Sequence, residues 1–183
     1  ATYFYNRLQE IIVSRSLFQQ ENAKGGLSRG IELSAQAVPL PGLDLNLGYT
    51  YTNSDFVPSS ALLRSDNTMA EAGVARAEEG IPTHHWSAGF NYRRQSWNFN
   101  LQYVGISGYT EGLFSPRFFR QVLFPFEGYQ RVNAGLGFTI PFSDESSVEF
   151  YVKGENLLND EYFEDGFTTP GTLFRGGVQY WLR

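Results

Sequence analysis

The chain has no cysteine in its 183 residues, and no apolar run near the roughly 18 residues that a membrane-spanning helix requires. The first absence excludes disulfides and thiolate metal sites and suits an oxidising compartment. The second excludes a transmembrane helix but leaves room for a β-barrel span, which takes only about 9–11 alternating residues. Positive charge is also short: 14 Lys and Arg against 19 Asp and Glu leave a formal net charge of −5. No basic cluster is present, which argues against a nucleic-acid partner, whose phosphates demand clustered Lys and Arg. The opening ATYFYNRLQE has neither the basic start nor the apolar stretch of a secretory signal, and it reads as the middle of a strand. The expectation is therefore a chain that begins part-way through a longer or processed protein.

What is present is apolar, aromatic and rich in glycine. With 42% hydrophobic residues, 16% aromatic, 19 Gly and 18% charged, the composition is that of one folded domain, not a disordered chain. The segment Phe174 to Leu182 shows the governing pattern. Phe174, Gly176, Val178, Tyr180 and Leu182 share one strand face, and Arg175, Gly177, Gln179 and Trp181 share the other. Period-two runs predict about eight strands, near 2–12, 28–38, 43–53, 85–93, 97–105, 131–140, 148–156 and 173–182. From the third onward one face is uncharged: Leu43, Leu45, Leu47, Tyr49 and Tyr51, then Trp86, Ala88, Phe90 and Tyr92, then Trp97, Phe99, Leu101 and Tyr103. Val132, Ala134, Leu136, Phe138 and Ile140 continue it, followed by Val148, Phe150, Val152 and Gly154. The opposite face carries Asp44, Asn46, Asn98, Arg131, Glu149, Lys153 and Arg175 among glycines. A charge facing lipid at the bilayer midplane costs about 2–4 kcal/mol, so a charge-free face opposite a charged one is what a membrane barrel requires.

Loop length supports this reading. Links at 39–42, 94–96 and 141–147 are short, whereas those near 13–27, 54–84, 106–130 and 157–172 are long, in strict alternation. Short turns on one side and long loops on the other are expected of a bilayer barrel, while a soluble sandwich does not sort loops by parity. Aromatics near strand ends, such as Tyr49, Trp86, Trp97 and Tyr180, suit interfacial girdles. Acidic residues gather in two long loops, Asp55, Asp66, Glu71, Glu78 and Glu79 in one and Asp160, Glu161, Glu164 and Asp165 in the other, and read as solvated charge, not as a metal site. Gly30 inside a strand predicts a bulge or a close backbone approach. Asn156, Asn159 and Asp160 supply side-chain acceptors that start a loop, and Pro170–Gly171 punctuates the return to strand.

Six stretches, in order, carry a family resemblance: YFYNRLQEII at 3–12, N-AKGGLSRGIEL at 22–33, LNLGYTYTNSDF at 45–56, IPTHHWSAGFNY at 81–92, VKGENLLNDEY at 152–162 and PGTLFRGGVQYWL at 170–182. Together they resemble the C-terminal part of a TonB-dependent receptor barrel, and the resemblance spans nearly all of 1–183. It implies an all-β, antiparallel up-and-down meander of about eight transmembrane strands, an open slice of a barrel of about 22 strands, with the plug domain and earlier strands absent. It implies a Gram-negative outer-membrane address and a part in nutrient uptake, for an iron–siderophore, haem or cobalamin as cargo, energised by TonB in the full-length protein. No resident cofactor and no enzymatic activity are implied. The implied partners are outer-membrane lipid and lipopolysaccharide, the barrel-assembly machinery, and the TonB complex through the missing plug only. A different class of reading is a complete eight-stranded barrel acting as a structural anchor or surface binder, since eight strands can close around their own side chains.

The candidate cargo contacts lie in 106–130: Tyr109, Phe114, Arg117, Phe118, Phe119 and Arg120, with Phe124 and Phe126 alongside. Aromatic faces with two guanidinium groups suit an anionic, partly aromatic cargo through stacking and charge-assisted hydrogen bonds. Arg175, Gly177, Tyr180 and Leu182 resemble the C-terminal assembly signal of outer-membrane proteins, with the departure that Arg183 stands where a terminal aromatic is usual. His84 and His85 lack an accompanying serine motif and are expected at a polar boundary, not in a catalytic triad. SDESS at 143–147 reads as a capped turn.

Overall fold

The computed structural model describes residues 1–16, 19–57, 62–64, 69–70, 76–77, 80–164 and 167–182. Among these there are strands and no helix: β1 (Thr2–Arg7), β2 (Glu10–Ser16), β3 (Gln19–Leu40), β4 (Leu43–Val57), β5 (Leu62–Arg64), β6 (Met69–Ala70), β7 (Arg76–Ala77) and β8 (His84–Arg94). They continue with β9 (Trp97–Ile106), β10 (Tyr109–Ser115), β11 (Arg120–Phe126), β12 (Tyr129–Pro141), β13 (Ser146–Glu155), β14 (Phe163–Glu164), β15 (Phe167–Thr168) and β16 (Leu173–Leu182). The main sheet follows the order β1-β3-β4-β8-β9-β12-β13-β16, which is sequence order, with β2 also on β3 and β7 on β4. This is an antiparallel open meander, and β1 and β16 stand at opposite ends of the order instead of pairing with each other.

The chain divides into two compact units. One comprises Ala1–Leu33, Thr50–His85 and Ile106–Gly128; the other comprises Ser34–Tyr49, Trp86–Gly105 and Tyr129–Arg183.

In the second unit the register aligns the two faces read from the sequence. Ala134 lies opposite Gly154, Leu136 opposite Val152, Phe138 opposite Phe150 and Ile140 opposite Val148. Val148, Phe150 and Val152 in turn face Tyr180, Val178 and Gly176. The apolar residues therefore share one surface across three strands, and they are not covered: Val178 is 63% exposed, and Leu47, Trp97 and Phe150 are exposed with it. A sandwich would bury these side chains against a second sheet; here their aromatic members pair only sideways, Trp97 with Phe138 at 4.5 Å and Phe90 with Phe99 at 5.5 Å between centroids. Such an uncovered apolar surface requires lipid.

The other face is polar and close-fitted through glycine. A Cβ on Gly89 would meet the Asn46 amide, one on Gly135 the Asn100 amide, one on Gly137 the Asn98 amide and the Glu149 carboxylate, and one on Gly177 the Tyr151 hydroxyl. Each large polar side chain thus lies over a glycine of a neighbouring strand, which is the physical use of the glycines seen on that face. The turn between β3 and β4 places Pro41 before Gly42, whose φ of 84° is the positive value a type II turn needs at that position.

In the first unit, Gly30 is where the chain approaches itself, as its place in a strand predicts: a Cβ there would stand 1.9 Å from the Tyr51 carbonyl oxygen. The expected first strand, 2–12, is broken at Leu8–Gln9 into β1 and β2, both of which pair with β3. Gly25 permits the break, because a Cβ there would be 1.7 Å from the Leu8 carbonyl oxygen.

Two links expected to be long loops are largely strand. The 13–27 link is mostly the β2–β3 ladder, from Glu10↔Lys24 to Ser16↔Gln19. The 106–130 link is mostly the β10–β11 hairpin, from Tyr109↔Phe126 to Ser115↔Arg120. In both, the backbone groups pair across the ladder although the sequence lacks the strict apolar alternation of the other strands. β11 also runs parallel to β5 at Val122↔Leu63 and Leu123↔Arg64, an exception to the antiparallel rule that holds in the main sheet. Asp66, Glu71, Glu78, Glu79 and Asp165 lie outside the described residues. Among the described residues no group of acidic and histidine side chains has the arrangement of a metal site.

Candidate functional site

The cargo-contact candidates fall on one element, the β10–β11 hairpin. Its base is the stacked pair Tyr109–Phe126, 5.4 Å apart and inclined by 19°. Its body is anchored by Val122 and Leu123, two of the three buried hydrophobic residues among those described. Since adjacent strand residues point to opposite faces, burial of both means that the hairpin is covered on both sides. Its tip is the turn from Ser115 to Arg120, closed by the Phe118 N–H donating to the Ser115 carbonyl at 3.2 Å. Here the guanidinium of Arg117 lies 5.4 Å from the Phe118 ring centroid, and Phe119 meets Phe114 edge-on at 5.6 Å. Phe119 has φ 50° and is 63% exposed. A bulky residue in the left-handed region, with its ring in solvent, is an outlier that the local fold must stabilise elsewhere. Phe114, Arg117, Phe118, Phe119 and Arg120 are thus gathered at the tip, while Tyr109 stays at the base.

The second unit presents the polar face as a concavity of about 820 Å³. Gln36, Asn46, Asn91, Asn98, Asn100 and Gln179 line it, with Asp44, Arg93, Glu149 and Lys153 as the charged groups. Asn98 donates from its amide to Glu149 at 2.6 Å, and Lys153 Nζ lies 5.4 Å from the Tyr151 ring centroid. The surface offers many donors and acceptors and little net charge.

The loop after β13 is built on Asn156, which is 4% exposed. Its amide donates to the carbonyls of Asp160 at 2.9 Å and Pro170 at 3.2 Å, its Oδ1 accepts the Asp160 N–H at 3.2 Å, and its backbone N–H goes to Asn133 Oδ1 at 3.0 Å. Asn156 and Asn159 hold φ values of 49° and 53°, which asparagine tolerates better than most residues. The loop-starting role expected of this pair and the punctuation at Pro170–Gly171 are thus one hydrogen-bond network.

In β16, Arg175 and Gly177 lie on the polar face and Tyr180 and Leu182 on the apolar one, as their register with β13 requires. Arg175 is ion-paired with Glu155. The imidazole of His84 lies beside Tyr51 at 5.4 Å, and the Ser107 hydroxyl accepts the backbone N–H of His84 at 3.0 Å. What sequence reasoning passed over is the cluster of Tyr129, Arg131 and Tyr162. Tyr162 lies 31 residues beyond Arg131 and is brought back beside β12 by the loop after β13, whose start is tied down where the Leu157 N–H donates to the Val132 carbonyl at 2.8 Å.

A family model described as TonB dependent receptor-like, beta-barrel matches residues 1–157. The chain belongs to this family. TonB-dependent receptors sit in the Gram-negative outer membrane, which is where the uncovered apolar face of this chain belongs, and they are receptors and transporters, not enzymes. Solved structures of similar fold include the siderophore receptor PiuA from Acinetobacter baumannii, at TM-score 0.70 and 14% identity, over 98% of this chain and 25% of that one. The FrpB iron transporter from Neisseria meningitidis matches at TM-score 0.62 and 17% identity, over 98% of this chain and 28% of that one. The copper transporter OprC matches at TM-score 0.62 and 14% identity, over 98% and 27%. At these identities the likeness is one of fold. This receptor chain spans about a quarter of the length of those structures. No curated protein matches it.

Proposed function

We propose that this chain forms the C-terminal part of the wall of a TonB-dependent active transporter that takes up a scarce nutrient such as an iron–siderophore, haem or cobalamin. The family match over residues 1–157 carries the reading, and the siderophore, iron and copper named for similar folds agree with it. Energy would come from TonB through a plug supplied by the rest of the full-length protein. Lipid and lipopolysaccharide would meet the apolar face, and the barrel-assembly machinery would read β16.

Within this reading the tip of the β10–β11 hairpin contacts cargo. Arg117 and Arg120 supply charge-assisted hydrogen bonds, Phe118 and Phe119 supply rings, and Phe114 holds Phe119 in place. Tyr109 stiffens the base. The supporting observation is Phe119, exposed and in the left-handed region beside a cation–ring pair. The test is binding of ferric tricatecholate, haem and cobalamin to the full-length receptor in detergent, with and without Arg117→Ala and Arg120→Ala. Each charged hydrogen bond contributes about 1.5–3 kcal/mol, so whichever anionic cargo binds should lose about tenfold or more in affinity. An affinity unchanged by the double substitution would remove the tip from the binding surface.

A further inference from the structure

We propose that Arg131 is an oxyanion-binding site held closed by Tyr162, so that a soluble carboxylate or phosphate competes with the tyrosine for the guanidinium. Arg131 lies on the same face of β12 as Gly135, which lines the polar concavity. Its Nη1 donates to the Tyr162 hydroxyl at 3.0 Å. Tyr162 is 5% exposed, and its ring stacks on Tyr129 at 3.8 Å with 17° between planes. Arg131 Nε is buried and makes no hydrogen bond, and among the described residues the side chain has no ion pair. Asp160, the carboxylate anchored beside β12, instead accepts the backbone N–H of Gln130 at 2.8 Å.

An arginine cannot escape this situation by losing its proton. The phenol hydroxyl satisfies one nitrogen and supplies no counter-charge, and the buried Nε is left without a hydrogen bond, which costs free energy. Nη1 and Nη2 form the end of the guanidinium that can hold two oxygens of a carboxylate or phosphate in parallel hydrogen bonds. Because the Tyr162 hydroxyl holds Nη1, an anion engages that end with both oxygens only when the tyrosine moves aside. The backbone around Tyr162 keeps its place independently, since its carbonyl accepts both the N–H and the hydroxyl of Thr169 at 2.9 Å and Asn156 holds the loop start. Displacement of the side chain therefore does not demand unfolding of the loop.

This inference goes beyond the transport reading, and its readout is binding, so a receptor that fails to transport can still pass or fail it. The experiment uses the full-length receptor in detergent with 3-fluorotyrosine at position 162, titrated with citrate and, separately, with inorganic phosphate while its fluorine resonance is followed. The expected result is a saturable shift with at least one anion, absent in Arg131→Gln and about tenfold weaker in Arg131→Lys, which keeps the charge without the fork. Calorimetry on Tyr162→Phe, which keeps the ring stack, should show tighter binding of the same anion. A resonance that neither anion moves, or one that moves equally in Arg131→Gln, would overturn the proposal.

Discussion

Gly30 and Gly135 are both strand glycines, yet they answer different needs. At Gly30 an added methyl would strike the Tyr51 backbone carbonyl, which the ladder holds in place. At Gly135 the nearest atom, at 2.7 Å, is the end of the Asn100 side chain, which can rotate away. Gly30→Ala should therefore destabilise the receptor by about 1–3 kcal/mol, and Gly135→Ala should cost less than about 1 kcal/mol. Urea unfolding in lipid vesicles measures both, and equal losses would mean that backbone approach is not what sets the cost. Gly30 could be read from sequence because a strand glycine by itself signals close approach. The fit of Asn100 over Gly135 could not, because it depends on which residue of β9 lies beside which residue of β12. Asn156 was legible as a loop starter, but its reach to the Pro170 carbonyl, 14 residues on, was not.

Among the elements, those whose faces meet different solvents were the legible ones. β8, β9, β12, β13 and β16 fall close to their expected spans because lipid on one side and water on the other impose a period of two. β3 extends well before its expected start because QQENAK carries no such contrast, although its backbone pairs with β2 there. The β10–β11 hairpin was hidden for the opposite reason: with Val122 and Leu123 both buried, its faces are alike. The cargo candidates could be picked out by residue type, but their gathering at one tip follows from the register of that hairpin. For β16, the proposal that Arg175, Gly177, Tyr180 and Leu182 form an assembly signal predicts a position-specific defect. Strand recognition uses edge hydrogen bonds for affinity and alternate side chains for specificity. Tyr180→Ala with Leu182→Ala should reduce outer-membrane insertion of the full-length receptor more than Val132→Ala with Leu136→Ala. Equal defects in a membrane-fractionation assay would leave Tyr180 and Leu182 as lipid contacts only.

At the scale of the molecule, the reversal of the usual solvent rule is the main physical fact: only Val122, Leu123 and Tyr162 are buried hydrophobic residues among those described, while whole rows of Leu, Val, Phe and Tyr are exposed. In water this arrangement would forfeit the hydrophobic stabilisation that folds a soluble domain; in a bilayer it is the favourable one. The chain has no cysteine, so each introduced thiol is unique within it. The most direct test places single cysteines along β13, at positions 148–153 of the full-length receptor in lipid vesicles, and measures both reaction with a charged maleimide and quenching of an attached fluorophore by brominated lipid. Positions 149, 151 and 153 should react readily and escape quenching, while 148, 150 and 152 should be protected from the maleimide and quenched by the lipid. Even-numbered positions that are neither reactive nor quenched would mean that protein covers the apolar face, and the membrane-wall account would be wrong.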